Sequence, residues 1–272
     1  MVDIDFLKEV FFTFDKPTPY ALKQKTIYIC PIMLPQSEIY RRNVGILDIN
    51  KNDCNDVQII QMSYLEYLYW LTKADEHIKE CLNTIFLMCL KIDTWSFGKN
   101  ENGKIVVVDH THNCSIDKKS FDDIRKIILY QNNPSYDDSY ISPDIKKMMI
   151  KVDSIKNFGM EVPSLERKMA IITAHTGLNK TQQSEMTLRA HQLLFNEVVG
   201  EVEFTTTRPV ALFAGSGNKM EHWIFPHKKN KMDGYLTTVG KYKNSFGGDG
   251  SINMSDSNNL SDTEMLLKQH NL

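Results

Sequence analysis

Two neighbouring stretches, residues 57–71 and 78–90, are too apolar to lie bare on a surface, and this restricts the fold more than any other feature of the chain. In the first, Val57, Ile60, Tyr64, Leu65, Leu68 and Leu71 recur at helical spacing, and Tyr67, Tyr69 and Trp70 widen the band beyond one stripe. In the second, Ile78, Cys81, Leu82, Ile85, Phe86 and Cys89 repeat the pattern. Helices apolar over so wide an arc need cover on more than one side. Two packed helices are therefore expected, forming either a domain core or a partner surface.

Strand signals flank them. Residues 20–31 alternate loosely and carry Thr26, Ile27 and Ile29, which predicts an early strand or hairpin, with a short helix after Pro35. Asn50-Lys51-Asn52-Asp53 marks a turn-rich connection. Residues 95–108 predict a second hairpin. Trp95 and Phe97 precede Asn100-Glu101-Asn102-Gly103, and a β-branched run follows. Asn-Gly favours a two-residue turn with positive φ at both positions, so Asn102 and Gly103 are expected to occupy it.

From about residue 117 the patterns are helical. Phe121, Ile124, Ile127 and Ile128 mark a helix starting near Ser120 and broken at Asn132-Asn133-Pro134. Ser142-Pro143-Asp144 caps the next, which carries Ile145, Met148, Met149, Val152 and Ile155 and stops at Gly159. Pro163-Ser164 opens a helix with Leu165, Met169 and Ile172, ended by Gly177. Asn179 and Gln182 stand at capping-box spacing before one long helix through Met186, Ala190, Leu193, Leu194 and Val198. Residues 205–213 are β-branched and are expected to leave that helix, although Pro209 argues against a central strand. Residues 244–259 have no apolar periodicity and predict a disordered linker. It leads to a capping box, Ser261 with Glu264, and to Met265, Leu266 and Leu267 on a short amphipathic helix.

The expected fold is α+β. A small strand/helix part with a β-hairpin spans 1–116, a mainly helical domain spans 117–242, and a flexible tail spans 243–272. The 272 residues suffice for a core, and 42% apolar with 24% charged residues is ordinary globular usage, which excludes wholesale disorder. A net charge of −2 lacks the basic surplus of a phosphate-neutralising nucleic-acid binder. Five cysteines, an odd number with no CxxC pair, predict reduced, mostly buried thiols in a cytosolic protein. The first residues lack a secretory pattern, and no apolar run approaches a bilayer span, so a cytoplasmic protein outside the membrane is expected.

Few residues suggest chemistry. His110, His112 and Cys114 alternate, and on an extended backbone would face one way and bind a metal, although no fourth ligand is apparent. His222 and His227 flank Trp223, Phe225 and Pro226, reading as a metal or acid/base pair or, preferably, as an aromatic turn. Gly215-Ser216-Gly217-Asn218-Lys219 lacks phosphate-loop spacing and reads as a glycine turn. Asp122-Asp123 and Asp137-Asp138 are assigned to capping and solvation. Thr173, His175 and Thr176 form no recognisable nucleophile–base pattern. The basic run His227-Lys228-Lys229-Asn230-Lys231 reads as a solvated loop or a contact for an acidic protein patch, in preference to single-stranded nucleic acid.

Several strings carry a resemblance. Ser120-Phe121-Asp122-Asp123-Ile124-Arg125 continues to Ile128-Leu129-Tyr130-Gln131-Asn132, followed by Pro163-Ser164-Leu165-Glu166-Arg167-Lys168, His175-Thr176-Gly177 and Glu221-His222-Trp223-Ile224. Ile59-Ile60-Gln61-Met62-Ser63-Tyr64-Leu65 has the same character. Over about residues 20–235 this resembles structural and tail-assembly proteins of tailed bacteriophages, and the architecture resembles that of their tail assembly chaperones.

The resemblance implies a protein-binding role in virion morphogenesis, in the host cytoplasm. The chain would hold the unassembled tape measure protein, or another tail protein, before the tail tube forms. Self-association is possible. Ile145, Met148, Met149 and Val152, with Met265, Leu266 and Leu267 on the tether, are the expected partner-binding residues, and methionines suit a surface that repacks against varied partners. No catalytic residue, metal or cofactor is assigned. The alternatives are a structural virion component, such as a connector or baseplate protein, and a metal-dependent hydrolase using His110, His112 and Cys114.

Overall fold

Short side-chain caps and two small sheets organise the N-terminal half. The computed structural model describes residues 2–215, except 24, 50, 52–53, 55, 139–141 and 157–160, together with residue 224. The expected linker and tethered helix after residue 243 lie outside the described residues. Helix α1 (Ile4–Val10) begins at Asp3, whose carboxylate accepts from the Phe6 amide. Strands β1 (Thr18–Ala21) and β2 (Thr26–Ile29) pair antiparallel with Thr18 opposite Ile29, giving the predicted early hairpin. A 3₁₀ turn at Leu34–Gln36 leads into α2 (Ser37–Val44).

The two apolar stretches become more pieces than expected. The first divides into α3 (Val57–Gln61) and α4 (Tyr64–Ala74). Ser63 makes the break. Its hydroxyl accepts from the Glu66 amide at 3.2 Å, and the Glu66 carboxylate accepts from the Ser63 amide at 2.9 Å. This reciprocal capping box restarts the helix one turn into the apolar run. Asp75 caps α5 (Glu76–Ile85), which ends in a π-helical turn at Phe86–Leu90. Leu65 and Leu68 of α4 and Leu82 and Ile85 of α5 are buried, so these helices are core. Val57 and Trp70 remain 66% and 57% exposed, so cover does not extend round the whole apolar arc.

Strands β3 (Trp95–Lys99), β4 (Ile105–Asp109) and β5 (Cys114–Ile116) form an antiparallel meander. The β3–β4 turn differs from the expected two-residue Asn-Gly type. Lys99 pairs with Ile105, and the Gly103 amide donates to the Asn100 carbonyl at 2.8 Å. Only Gly103 has positive φ, at 71°; Asn102 does not. The Asn100 amide also donates to the Lys104 carbonyl at 2.9 Å, so residues 101–103 form a three-residue loop closed by a left-handed glycine. Asn100 holds it, its side-chain oxygen accepting from the amides of Asn102 and Lys104.

Helix α6 (Lys118–Asn132) begins earlier than predicted, because Asp117, and not Ser120, caps it. Its apolar face (Phe121, Ile124, Ile127, Ile128, Leu129) joins the same core as Ile29, Tyr40, Leu68 and Ile85. Composition changes near residue 117, but packing continues across it.

The segment 30–34, extended as far as Met33, ties this core together. The Cys30 amide donates to the Cys89 carbonyl at 2.7 Å, and the Ile32 amide to the Asn132 side chain at 2.8 Å. On the far side, the Leu34 amide donates to the Met186 carbonyl, and the Leu188 amide to the Ile32 carbonyl.

The later helices are α7 (Pro143–Lys156), α8 (Leu165–Thr176), α9 (Lys180–Ser184) and α10 (Leu188–Phe213). Ser164 caps α8, and Gly177, at φ 75°, ends it, as predicted. The Asn179–Gln182 capping box also forms, but it opens only the short α9; Thr187 then caps α10. Residues 205–213 do not leave the helix. The Thr205 and Thr206 hydroxyls donate back to the Glu201 and Val202 carbonyls, which satisfies them inside a helix, and Pro209 is accommodated within it. The architecture is α+β: a two-stranded hairpin, a three-stranded meander and surrounding helices.

Two predictions test these joints by chemical denaturation. Asn132→Ala should lower unfolding free energy by about 2–3 kcal/mol, because it leaves the buried Ile32 amide without an acceptor. Unchanged stability would show that the amide finds another partner. In the β3–β4 turn, Gly103→Val and Asn100→Ala should each cost about 1 kcal/mol or more, and Asn102→Ala less than about 0.5 kcal/mol. A larger loss at Asn102 than at Asn100 would restore the two-residue turn.

Candidate functional site

The alternating donors His110, His112 and Cys114 do not share a face. Residues 110–113 form the turn between β4 and β5, with Asn113 left-handed at φ 54°, so the extended backbone assumed for them is absent. His110 turns outward to Ser96, with Nε2 2.9 Å from Oγ. His112 and Cys114 turn to Asp109, which had no role in the sequence reading and is fully buried. Its carboxylate lies 2.7 Å from His112 Nδ1, accepts from the His112 amide at 3.0 Å and accepts from Cys114 Sγ at 3.6 Å. The arrangement satisfies a buried carboxylate and fixes a turn. Burial, and then the Asp109 charge, push the Cys114 thiol up to about 11, which opposes nucleophilic chemistry. Asp109 bonds to both His112 and Cys114, and no group of three such side chains among the described residues is arranged so that it could hold a metal ion.

The paired carboxylates are also placed differently from expectation. Asp122 and Asp123 lie beyond the first turn of α6, so they cannot cap it. Asp123 accepts from the Tyr20 hydroxyl at 3.0 Å, and burial raises the Asp122 carboxyl above its usual range. Asp138 is paired with Lys126 at 2.6 Å and accepts from the Tyr130 hydroxyl at 2.8 Å, so it does more than solvate a loop. Thr173 and Thr176 donate to the backbone carbonyls of Leu178 and Ile172, and His175 is exposed. Gly215 ends α10 at φ 73°. His222, His227, the basic run and residues 216–220 lie outside the described residues.

Among the described residues, the most buried histidine is one that had no role in the sequence reading. His191 sits in the first turns of α10, 2% exposed, with Nε2 lacking a hydrogen-bond partner. Burial, and then the nearby Lys168 of α8, lower its pKa. Around it, Thr187 Oγ1 lies 2.5 Å from the Asp15 carboxylate, and Arg189 donates to the Tyr130 carbonyl at 2.9 Å. These contacts anchor the start of α10. Its lone polarity on an apolar face is the signal that helical spacing hid.

The surface that stands out is apolar. No described side chain of α7 is buried. Of the four residues expected to bind a partner, Met148 is 68% exposed, whereas Ile145, Met149 and Val152 are half-buried. Ile155, 68% exposed, shares a helical face with Met148, so the free edge of the predicted face lies towards Met148 and Ile155, while Ile150, 61% exposed, stands on the other side of the helix. The other three expected residues, Met265, Leu266 and Leu267, lie outside the described residues. On α10, nothing after Val198 is buried, and Val199, Val202, Val210 and Phe213 are 41%, 36%, 67% and 94% exposed. A depression of about 520 Å³ beside Phe204, Arg208 and Leu212 is lined, among the described residues, by α10.

No protein-family model matches the chain, nor does any curated protein or solved structure with which it was compared. No described helix is long and apolar enough to cross a membrane.

The buried His191 predicts a pH dependence. Its folded pKa lies below the ordinary value of about 6.5, so the unfolded chain takes up a proton first as pH falls. Stability from the neutral ring is complete above about pH 6.5 and is lost below it. Thermal unfolding at pH 7.5 and 5.5 should show a smaller fall for His191→Gln than for the wild type. Equal falls would assign the acid sensitivity to other groups.

Proposed function

We propose that this chain is a tail assembly chaperone of a tailed bacteriophage that binds unassembled tape measure protein in the host cytoplasm. The observation that carries the protein-binding part is α7, a 14-residue helix whose described side chains are all at least partly exposed although six are large and apolar. Exposed apolar surface of this kind marks interaction sites, since a folded monomer gains nothing from displaying it. An amphipathic helix of a partner would lie along Met148, Val152 and Ile155, with anchors at helical spacing. Methionine supports the reading further, because its flexible thioether repacks against unlike segments. The tape measure partner rests on the resemblance of the 120–132, 163–168, 175–177 and 221–224 strings to tail-assembly proteins.

Co-expression with helical fragments of a tape measure protein tests the proposal. The chain should keep the fragments soluble and co-elute with them. Met148→Asp with Ile155→Asp should lower recovery at least about fivefold while leaving the melting temperature within a few degrees, because both sites are exposed. Truncation after Lys243, which removes Met265, Leu266 and Leu267, should weaken recovery as well. Fragments equally soluble without the chain would overturn the reading. So would stoichiometric amounts of the chain in purified virions, which would make it a structural component.

A further inference from the structure

The two exposed apolar helices differ in charge. Helix α7 carries Lys146, Lys147, Lys151 and Lys156 against Asp144 and Asp153, whereas α10 from residue 197 carries Glu197, Glu201 and Glu203 against Arg208. Each has a stripe of exposed and half-buried side chains at helical spacing. On α7, Met148, Val152 and Ile155 follow one another at intervals of four and three, over about 10 Å. On α10, Val199, Val202, Thr206, Val210 and Phe213 follow at three, four, four and three, over about 21 Å.

A charge of opposite sign borders each stripe. Lys151, exposed, stands three residues after Met148 and four before Ile155. Glu203, also exposed, stands four residues after Val199 and seven before Val210. The two stripes therefore complement each other in apolar spacing and in the charge along one edge.

We infer that α7 of one copy packs against the second half of α10 of another copy, so that the chain self-associates through these faces. The chain itself supplies the occupant whose chemistry α7 requires: a long apolar stripe edged by a carboxylate. A two-fold axis repeats the contact, α7 on α10 and α10 on α7, which closes a dimer and doubles the buried surface towards the ~1,000 Å² that a specific interface needs. The inference does not depend on tape measure binding, because it requires only two faces of the same chain; a tape measure helix on the same α7 face would displace the second copy.

Sedimentation velocity on the full chain, from about 10 µM to about 500 µM, tests it. The wild type should pass from monomer to dimer. Lys151→Glu and Glu203→Lys each place like charges across the contact and should raise the dissociation constant by about threefold to tenfold. The double variant, which exchanges the two charges, should recover wild-type association. Both positions are exposed, so folding is preserved, and circular dichroism checks this. A wild type that stays monomeric throughout overturns the inference. So do open-ended polymers, dimerisation unaffected by either single variant, or a double variant no better than the singles.

Discussion

The fold depends on a short extended segment that belongs to no sheet. Residues 30–34 leave β2 and cross the core, where Ile32 and Leu34 are buried and their amides must find partners away from water. The Cys30 amide takes the Cys89 carbonyl, exposed where α5 ends in its π-helical turn. The Ile32 amide takes the side chain of Asn132, which is itself buried and donates back to the Ile128 carbonyl at 2.9 Å. Because Ile32 and Asn132 are a hundred residues apart, this bond fixes the end of α6 against the first hairpin. The carbonyl of Ile32 accepts from the Leu188 amide, so the same residue also sets where α10 starts. Three elements distant in sequence thus share one hydrogen-bonded strip, and Ile29, Ile32 and Leu34 bury their side chains along it.

That strip explains which parts of the fold were legible from sequence. Local chemistry reads well. Ser164, Gly177 and the Asn179–Gln182 box act as their spacing implies, because a cap needs only residues three or four apart. The α+β class follows from the change between a period of two and a period near 3.6. Two breaks escaped, at Ser63 and Thr187, for a common reason. Each cap is masked by a stronger neighbouring signal: the continuous apolar pattern around Ser63, and the Asn179–Gln182 capping box ahead of Thr187. The role of Asn132 was hidden differently: a helix-ending asparagine gives no local hint that its amide faces a backbone group a hundred residues away.

The chemistry-bearing residues follow the same rule. The alternation of His110, His112 and Cys114 implies a shared face only on an extended chain, and a turn with left-handed Asn113 occupies that place. Asp109 at the end of β4 then collects His112 and Cys114 around its carboxylate. A buried acid is costly unless donors surround it, so the polar residues of this turn answer a structural need. The same holds for Asp138 with Lys126 and Tyr130, which pin the chain after α6 back onto that helix.

Helix α10 shows why anchoring and exposure occur in one element. Its first turns are held by Thr187 with Asp15, by Arg189 with the Tyr130 carbonyl, and by buried His191 and Val198 against α6 and α8. Past residue 198 no side chain is buried, so tertiary packing cannot keep this part helical. An isolated segment of this length, with β-branched residues and a proline, would be a marginal helix in water. Growth from a fixed end avoids the nucleation step, since each residue adds a hydrogen bond to a turn already formed. The back-bonded hydroxyls of Thr205 and Thr206 further reduce the conflict between those residues and the helix. The anchored half therefore supplies the order that the exposed half lacks, and an apolar stripe held in order loses less entropy on meeting a complementary helix than one that must fold first.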